Sequence, residues 1–267
     1  MNDQRKYVVS CQACSLNALC VPHSLTESEV AIVDAAVKRS KPIQRNKTVF
    51  EAGDKFASLY TVRSGAVKTY SVDQEGDEHV IGFYLPGEMF GLDAISSGQH
   101  ISSAKALETT AICEIPYNRL EELSAQIHNL QTHMYKLLSH EISEDQQLQL
   151  LLSKKTAEER IGNFLLGLSS RYRLRHLSPT SFRLPMARTD IGNYLGLAVE
   201  TVSRIFTRLQ KSNILQVDGK EVRILDQHRL CAVAHVDDAD LFHGHGHGTS
   251  AAGVHAEPIR VGNIRKF

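Results

Sequence analysis

The sequence predicts an α+β protein: a β-rich N-terminal half, a long helix, and a C-terminal winged helix-turn-helix. Three observations carry that prediction. Between Ser58 and Ile115, short apolar or alternating runs are separated by turn signals. From Asn118 to Ser153 the apolar period is close to 3.6, with no Gly or Pro. From Arg188 to Thr207 the segment RTDIGNYLGLAVETVSRIFT has the spacing of two helices joined by a glycine turn, and a hairpin signal follows.

The composition is that of an ordinary globular chain. The 267 residues are 42% apolar and 22% charged, enough for one to two domains with a sizeable core. No apolar run approaches the roughly 20 residues that span a bilayer. Met1 to Ser10 holds no apolar stretch of signal-peptide length, so the cytoplasm is the expected compartment. The formal net charge of +0 hides an asymmetry. Residues 1–152 carry 13 basic and 19 acidic side chains, residues 153–234 carry 14 and 7, and residues 235–267 carry 3 and 4. A basic excess confined to one C-terminal segment is expected of a nucleic-acid-binding module.

Each element follows in order. Cys11, Cys14 and Cys20 open the chain in the spacing C-x2-C-x5-C, and Cys113 lies far downstream. Thr26 is placed to cap a short helix, with Glu29 completing a capping box and Val30, Val33 and Val37 at helical spacing. Five runs then read as strands: Ser58 to Arg63, Ala66 to Val72, Val80 to Tyr84, Ala104 to Leu107 and Ala111 to Ile115. Such short strands argue a β-sandwich or jelly roll. In the long helix, Met134, Leu138, Ile142, Asp145, Gln149 and Leu152 form a stripe at coiled-coil spacing. Asp145 is its odd member: a carboxylate facing its twin across a dimer seam weakens that seam.

In the helix-turn-helix, Gly192 permits close approach of two helices and Gly196 makes the turn. Thr189 is the expected N-cap of the first helix. Ile191, Leu195, Leu197, Val202 and Ile205 fall where the helices bury each other, which leaves Glu200, Ser203 and Arg204 on one outward face. In a major groove Arg pairs with guanine, Glu accepts from the cytosine amine, and Ser contacts either kind of base. The runs Ile214 to Val217 and Val222 to Leu225 flank Asp218-Gly219, a hairpin turn signal. Lys211, Lys220 and Arg223 are expected at phosphates. Residues 235–267, with their His243-Gly244-His245-Gly246-His247 tract, are expected to be disordered.

Four cysteines in an expected cytosolic chain point to a soft metal rather than disulfides. Spacing alone leaves Zn2+ and an iron–sulfur cluster both open, with His23 able to replace one thiolate in a zinc site. Zinc is structural; a cluster can be dismantled by O2 and so can act as a switch. Cys231 stands apart as a bystander. An enzyme is not expected: the chain has no GxGxxG after a strand, no P-loop and no convincing triad.

The layout resembles the CRP/FNR regulators. The segments CQACSLNALC, LETTAICEIP around Cys113, LLLSKKTAEER and IGNYLGLAVETVSR are similar to FNR and its Anr-type relatives, over about residues 10 to 233. The resemblance implies a cluster-binding arm (1–24), a cyclic-nucleotide-binding-domain-like β-roll (25–117), a dimerisation helix (118–153) and a DNA-binding domain (154–234). It implies that Cys11, Cys14, Cys20 and Cys113 ligate one oxygen-labile [4Fe–4S] cluster. It places Ile142 and Asp145 in a homodimer switch. It gives Glu200, Ser203 and Arg204 the half-site of a TTGAT-N4-ATCAA palindrome, and makes the Asp73 to Asp77 loop a candidate contact for RNA polymerase. One departure matters. Cyclic-nucleotide-binding members hold the phosphate with an Arg near the position of His100, and this chain has no Arg between Arg63 and Arg119. The roll is therefore expected to bind no cyclic nucleotide. The rival reading is a cyclic-nucleotide-responsive regulator with a structural zinc site.

Overall fold

A computed structural model of the chain describes residues 9–236. The fold is α+β, as the patterning predicts. The His-rich tract lies outside the described residues.

After two short 3-10 turns in the arm (Asn17–Leu19 and Val21–Ser24), helix α1 spans Glu27–Ala36. Thr26 and Glu29 form its capping box as expected. Eight strands build the roll: β1 (Lys38–Arg39), β2 (Thr48–Phe50), β3 (Ser58–Ser64), β4 (Val67–Val72), β5 (Glu78–Tyr84), β6 (Met89–Phe90), β7 (Ser103–Ala106) and β8 (Ala111–Pro116). They form two antiparallel four-stranded sheets, ordered β1-β8-β3-β6 and β2-β7-β4-β5. Sequence patterning found the longer strands and missed β1, β2 and β6, which hold only two or three residues and show no period.

The expected single helix over 118–153 is two: α2 (Tyr117–Gln126) and α3 (His128–Lys154), broken at Ile127. Ile127 is extended and buried, and packs with Leu120, Leu123 and Leu130 against Val33, Leu59 and Ile115 of the roll. That apolar anchor turns the chain before α3 begins.

The C-terminal part comprises α4 (Ala157–Leu174), β9 (Ser181–Arg183), α5 (Arg188–Leu195), α6 (Val199–Lys211), β10 (Leu215–Asp218), β11 (Glu221–Ile224) and α7 (Gln227–Ala234). A second capping box, Thr156 with Glu159, starts α4. Asp218 pairs with Glu221, so the hairpin turn is Gly219-Lys220, one residue later than the Asp-Gly signal suggests, with Gly219 at φ +56°. Strand β9 adds a third strand to this wing.

The two parts share one apolar core. Ala66, Phe83, Leu85 and Leu107 of the roll are buried with Phe164, Leu168 and Leu195 of the C-terminal part. The Phe83 ring lies 5.2 Å from that of Tyr194. Polar contacts surround this core. Glu88 accepts hydrogen bonds from Arg171 and, at 2.6 Å, from Arg175. Lys68 bridges Glu78 and Asp190, 2.7 Å from the latter. An apolar interface ringed by paired charges couples two domains tightly.

Candidate metal centre and nucleic-acid interface

The register of the first sheet builds one end of the roll into a platform. Cys113 on β8 lies opposite Arg39 on β1 and Thr61 on β3. Directly paired residues point to the same face, so Arg39, Cys113 and Thr61 form a row across three strands. The arm meets this row at Arg39. Arg39 Nη2 donates to Cys11 Sγ at 3.2 Å. The Thr61 hydroxyl is buried with no hydrogen-bond partner among the described residues.

Tight turns shape the arm itself. The amides of Cys14, Asn17, Leu19 and His23 donate to the carbonyls of Cys11, Cys14, Leu16 and Cys20, respectively. The Cys11 amide donates to Asp34 Oδ1 of α1 at 2.7 Å. Leu19 comes close to Gly87, where a Cβ would stand 3.0 Å from the Leu19 Cβ; the φ of Gly87 is +93°. Glycine at this position serves both the turn and the close approach.

The four sulfurs interact. Burial, then the Asp34 carboxylate, pushes the Cys11 thiol up to about 12, against the pull of Arg39. Burial also pushes Cys20 up to about 12, with Cys113 and Cys14 adding repulsion. Cys113 is raised by burial and opposed by Arg39 and Arg63. Such thiols are neutral at pH 7 until a cation takes the proton's place, and metal binding deprotonates a ligating thiol outright. The donor set is thus four soft sulfurs drawn from two distant parts of the chain. Among the described residues no three Cys, His, Asp or Glu side chains have the spacing of a single-ion site. One tetrahedral zinc ion needs its sulfurs about 2.3 Å from one point. A [4Fe–4S] cluster takes four cysteine thiolates, the number and kind of donor that Cys11, Cys14, Cys20 and Cys113 offer as free thiols. The His23 ring lies 6.2 Å from that of His133. Cys231 is buried in the C-terminal core.

At the other end, α5 ends at Gly196 in the left-handed region, φ +63°. A Cβ on Gly192 would stand 2.5 Å from the Leu197 carbonyl oxygen, so the helix pair closes only around glycine. Ala187, rather than Thr189, is the N-cap of α5, and Asp190 accepts its amide at 2.8 Å. Val202, Ile205, Phe206 and Leu209 bury one face of α6. Glu200, Ser203 and Arg204 are exposed on the other. Ser203 Oγ donates to the Val199 carbonyl, and Arg204 Nη2 donates to Thr201 Oγ1 at 3.0 Å. Ser203, Arg204, Thr207, Arg208 and Lys211 line one open groove. Thr207 and Arg208 were not singled out from the sequence, although they continue the i, i+3, i+4 face. Lys220 differs from expectation: its ammonium donates to the Pro185 carbonyl at 2.7 Å.

On α3, Ile142 is 59% exposed, and Tyr135 on the same face is 63% exposed. Asp145 is exposed beside them. Met134, expected in the seam, instead packs on the roll core. His100 is buried, stacked on Phe50 with centroids 3.7 Å apart, and its Nδ1 is 3.4 Å from Asp93.

A cyclic nucleotide-binding domain model matches residues 40–126, and a Crp-like helix-turn-helix domain model matches residues 159–233. The chain is 51% identical over 224 residues to the transcriptional activator protein FnrA of Stutzerimonas stutzeri, covering 84% of this chain and 92% of that one. The chain belongs to the CRP/FNR family. It is similarly 51% identical to the transcriptional activator protein anr of Pseudomonas aeruginosa, over 84% of this chain and 92% of that one. It is 50% identical to the fumarate and nitrate reduction regulatory protein of Yersinia pestis, over 85% and 91%. Among solved CRP/FNR structures, FixK2 of Bradyrhizobium japonicum superposes with a TM-score of 0.68 at 28% identity, over 74% of this chain and 96% of that one. This CRP/FNR chain is a DNA-binding transcriptional activator of the FNR/Anr type, not an enzyme. Among its described residues no helix is long and apolar enough to cross a membrane.

Proposed function

We propose that this regulator is oxygen-responsive. Cys11, Cys14, Cys20 and Cys113 hold one [4Fe–4S] cluster, which favours a homodimer that binds a TTGAT-N4-ATCAA-like palindrome under anaerobic conditions. The observation that carries this reading is the platform of Arg39, Cys113 and Thr61, to which Cys11 of the arm is hydrogen-bonded through Arg39. The cluster supplies a group that O2 oxidises and dismantles, which no side chain here provides. The chain's own residues do the rest. The arm is tied to the sheet just ahead of α2 and α3. Tyr135 and Ile142 offer apolar surface for a twin helix, and Asp145 opposes it. Two α6 helices, about 34 Å apart in a dimer, read base edges with Glu200, Ser203 and Arg204. The Asp73 to Asp77 loop, exposed at the β4–β5 turn, is the proposed contact for RNA polymerase.

We further propose that the roll takes no cyclic nucleotide and that the protein works in the cytoplasm. His100, buried against Phe50, stands near the place of the family's phosphate-binding Arg and offers no bidentate fork. The rival reading, cyclic-nucleotide control with structural zinc, makes the opposite prediction. Gel-shift titration of a TTGAT-N4-ATCAA duplex tests both. Binding that is strong without O2, lost in air and indifferent to cyclic AMP supports the proposal. Binding that follows cyclic AMP and ignores air sinks it.

A further inference from the structure

Arg39 sits where the split ligand set is joined. It directly pairs with Cys113 across the sheet, and its side chain is 11% exposed. Nη2 donates to Cys11 Sγ at 3.2 Å and also to Asp34 Oδ1. That same carboxylate oxygen accepts the Cys11 amide at 2.7 Å. Asp34 therefore fixes both the guanidinium and the backbone of the first cysteine. Arg39 Nε is buried with no hydrogen-bond partner among the described residues. A guanidinium that shares Nη2 between a carboxylate and a thiol, with a donor left over, can serve further acceptors. The sulfur it reaches here is that of Cys11, and Cys113 is its partner across the sheet. Hydrogen bonds to the sulfurs and nearby charge are the levers by which a protein holds and tunes an iron–sulfur group.

We propose that Arg39 is a positioning residue for the cluster: it clips Cys11 to the roll through an N–H···S bond and turns its positive charge toward Cys11 and Cys113, with Asp34 as its anchor. This rests on the cluster reading above. Lys does not replace this role fully, because an ammonium keeps the charge and loses the planar fork.

The test compares wild type, Arg39→Gln and Arg39→Lys, each purified without O2. Iron release to a chelator, followed anaerobically, should be about 10- to 100-fold faster in Arg39→Gln, the usual cost of losing an outer partner of a metal ligand. Arg39→Lys should fall between. Resonance Raman bands of the Fe–S(Cys) stretches should shift in Arg39→Gln, which a merely structural role would not cause. Wild-type release rates and unshifted bands in Arg39→Gln overturn the proposal. A second readout uses the metal-free proteins: hydrogen exchange of the Cys11 amide should quicken in Arg39→Gln, because Asp34 loses its fixing partner. If wild type holds neither iron nor sulfide, the cluster reading falls. Unchanged Cys11 exchange in Arg39→Gln would then refute the clip as well.

Discussion

Cys113 occupies a central strand, hydrogen-bonded on both sides, so Cys113→Ser keeps the register and changes one donor atom. The expected outcome is a folded protein whose thermal transition moves little, with iron and sulfide lost on anaerobic purification. A full complement of iron in this variant would remove Cys113 from the ligand set. Arg204 allows an equally local test at the DNA end. It is exposed and, among the described residues, held by Thr201, so Arg204→Ala should cost about 1–3 kcal/mol per half-site. Competition with single-base operator variants should show relaxed preference at one position, with iron content and association state unchanged. The cysteine spacing and the recognition face were legible because both are local patterns of residue type. Arg39, Thr61 and Asp34 were not. Their place beside the sulfurs is set by the pairing of β1, β8 and β3, strands distant in sequence, of which β1 shows no readable period. The bond of Lys220 to the Pro185 carbonyl was hidden for a related reason: β9, which leads toward Pro185, left no signal.

Among the elements, α3 carries the association argument. Its exposed Tyr135 and Ile142 lie on the face that also holds Asp145. Two carboxylates about 4 Å apart in a wet seam repel by about 1 kcal/mol, or roughly fivefold in association. Asp145→Ala should therefore raise the dimer fraction in air by about that factor. Sedimentation velocity measures it, and an unchanged monomer would refute the repulsion. Glu141, one turn away, gives a pH signature. Burial first, then Glu144, Glu88 and Asp145, raises its carboxyl from 4.5 to about 7, with Arg171 opposing. The folded state then holds a proton that the unfolded state has released, so stability falls as pH rises from about 4.5 to about 7. Glu141→Gln should flatten that part of the melting-temperature profile; an unchanged slope would assign it to another group. The stripe read from sequence had the right helix and the wrong first member. Heptad spacing does not distinguish a face turned to a partner from one turned to the roll, and the roll claims Met134.

At the scale of the whole molecule, the arm, the roll and the DNA-reading part meet around one turn. Leu19 of the arm packs on Gly87, and the next residue, Glu88, holds Arg171 of α4 and Arg175 at its C-terminal cap. The Arg175 side chain is only 5% exposed, so Glu88→Ala strands a buried cation. The expected loss is about 3 kcal/mol of stability, with hydrogen exchange quickening in both β5 and α4. Loss confined to one side would mean that the two parts do not behave as one unit. Pro86-Gly87-Glu88 is a local turn pattern, but what it touches is not legible locally, because both of its partners come from elsewhere in the chain. The central claim is that the sulfur platform governs pairing of the long helix. Its most direct test is purification without O2, iron and sulfide assay, and light-scattering size analysis before and after exposure to air. The account predicts iron and sulfide in equal amounts and a dimer that becomes monomeric as both are lost. Zinc in place of iron, or a mass that does not change in air, would contradict it.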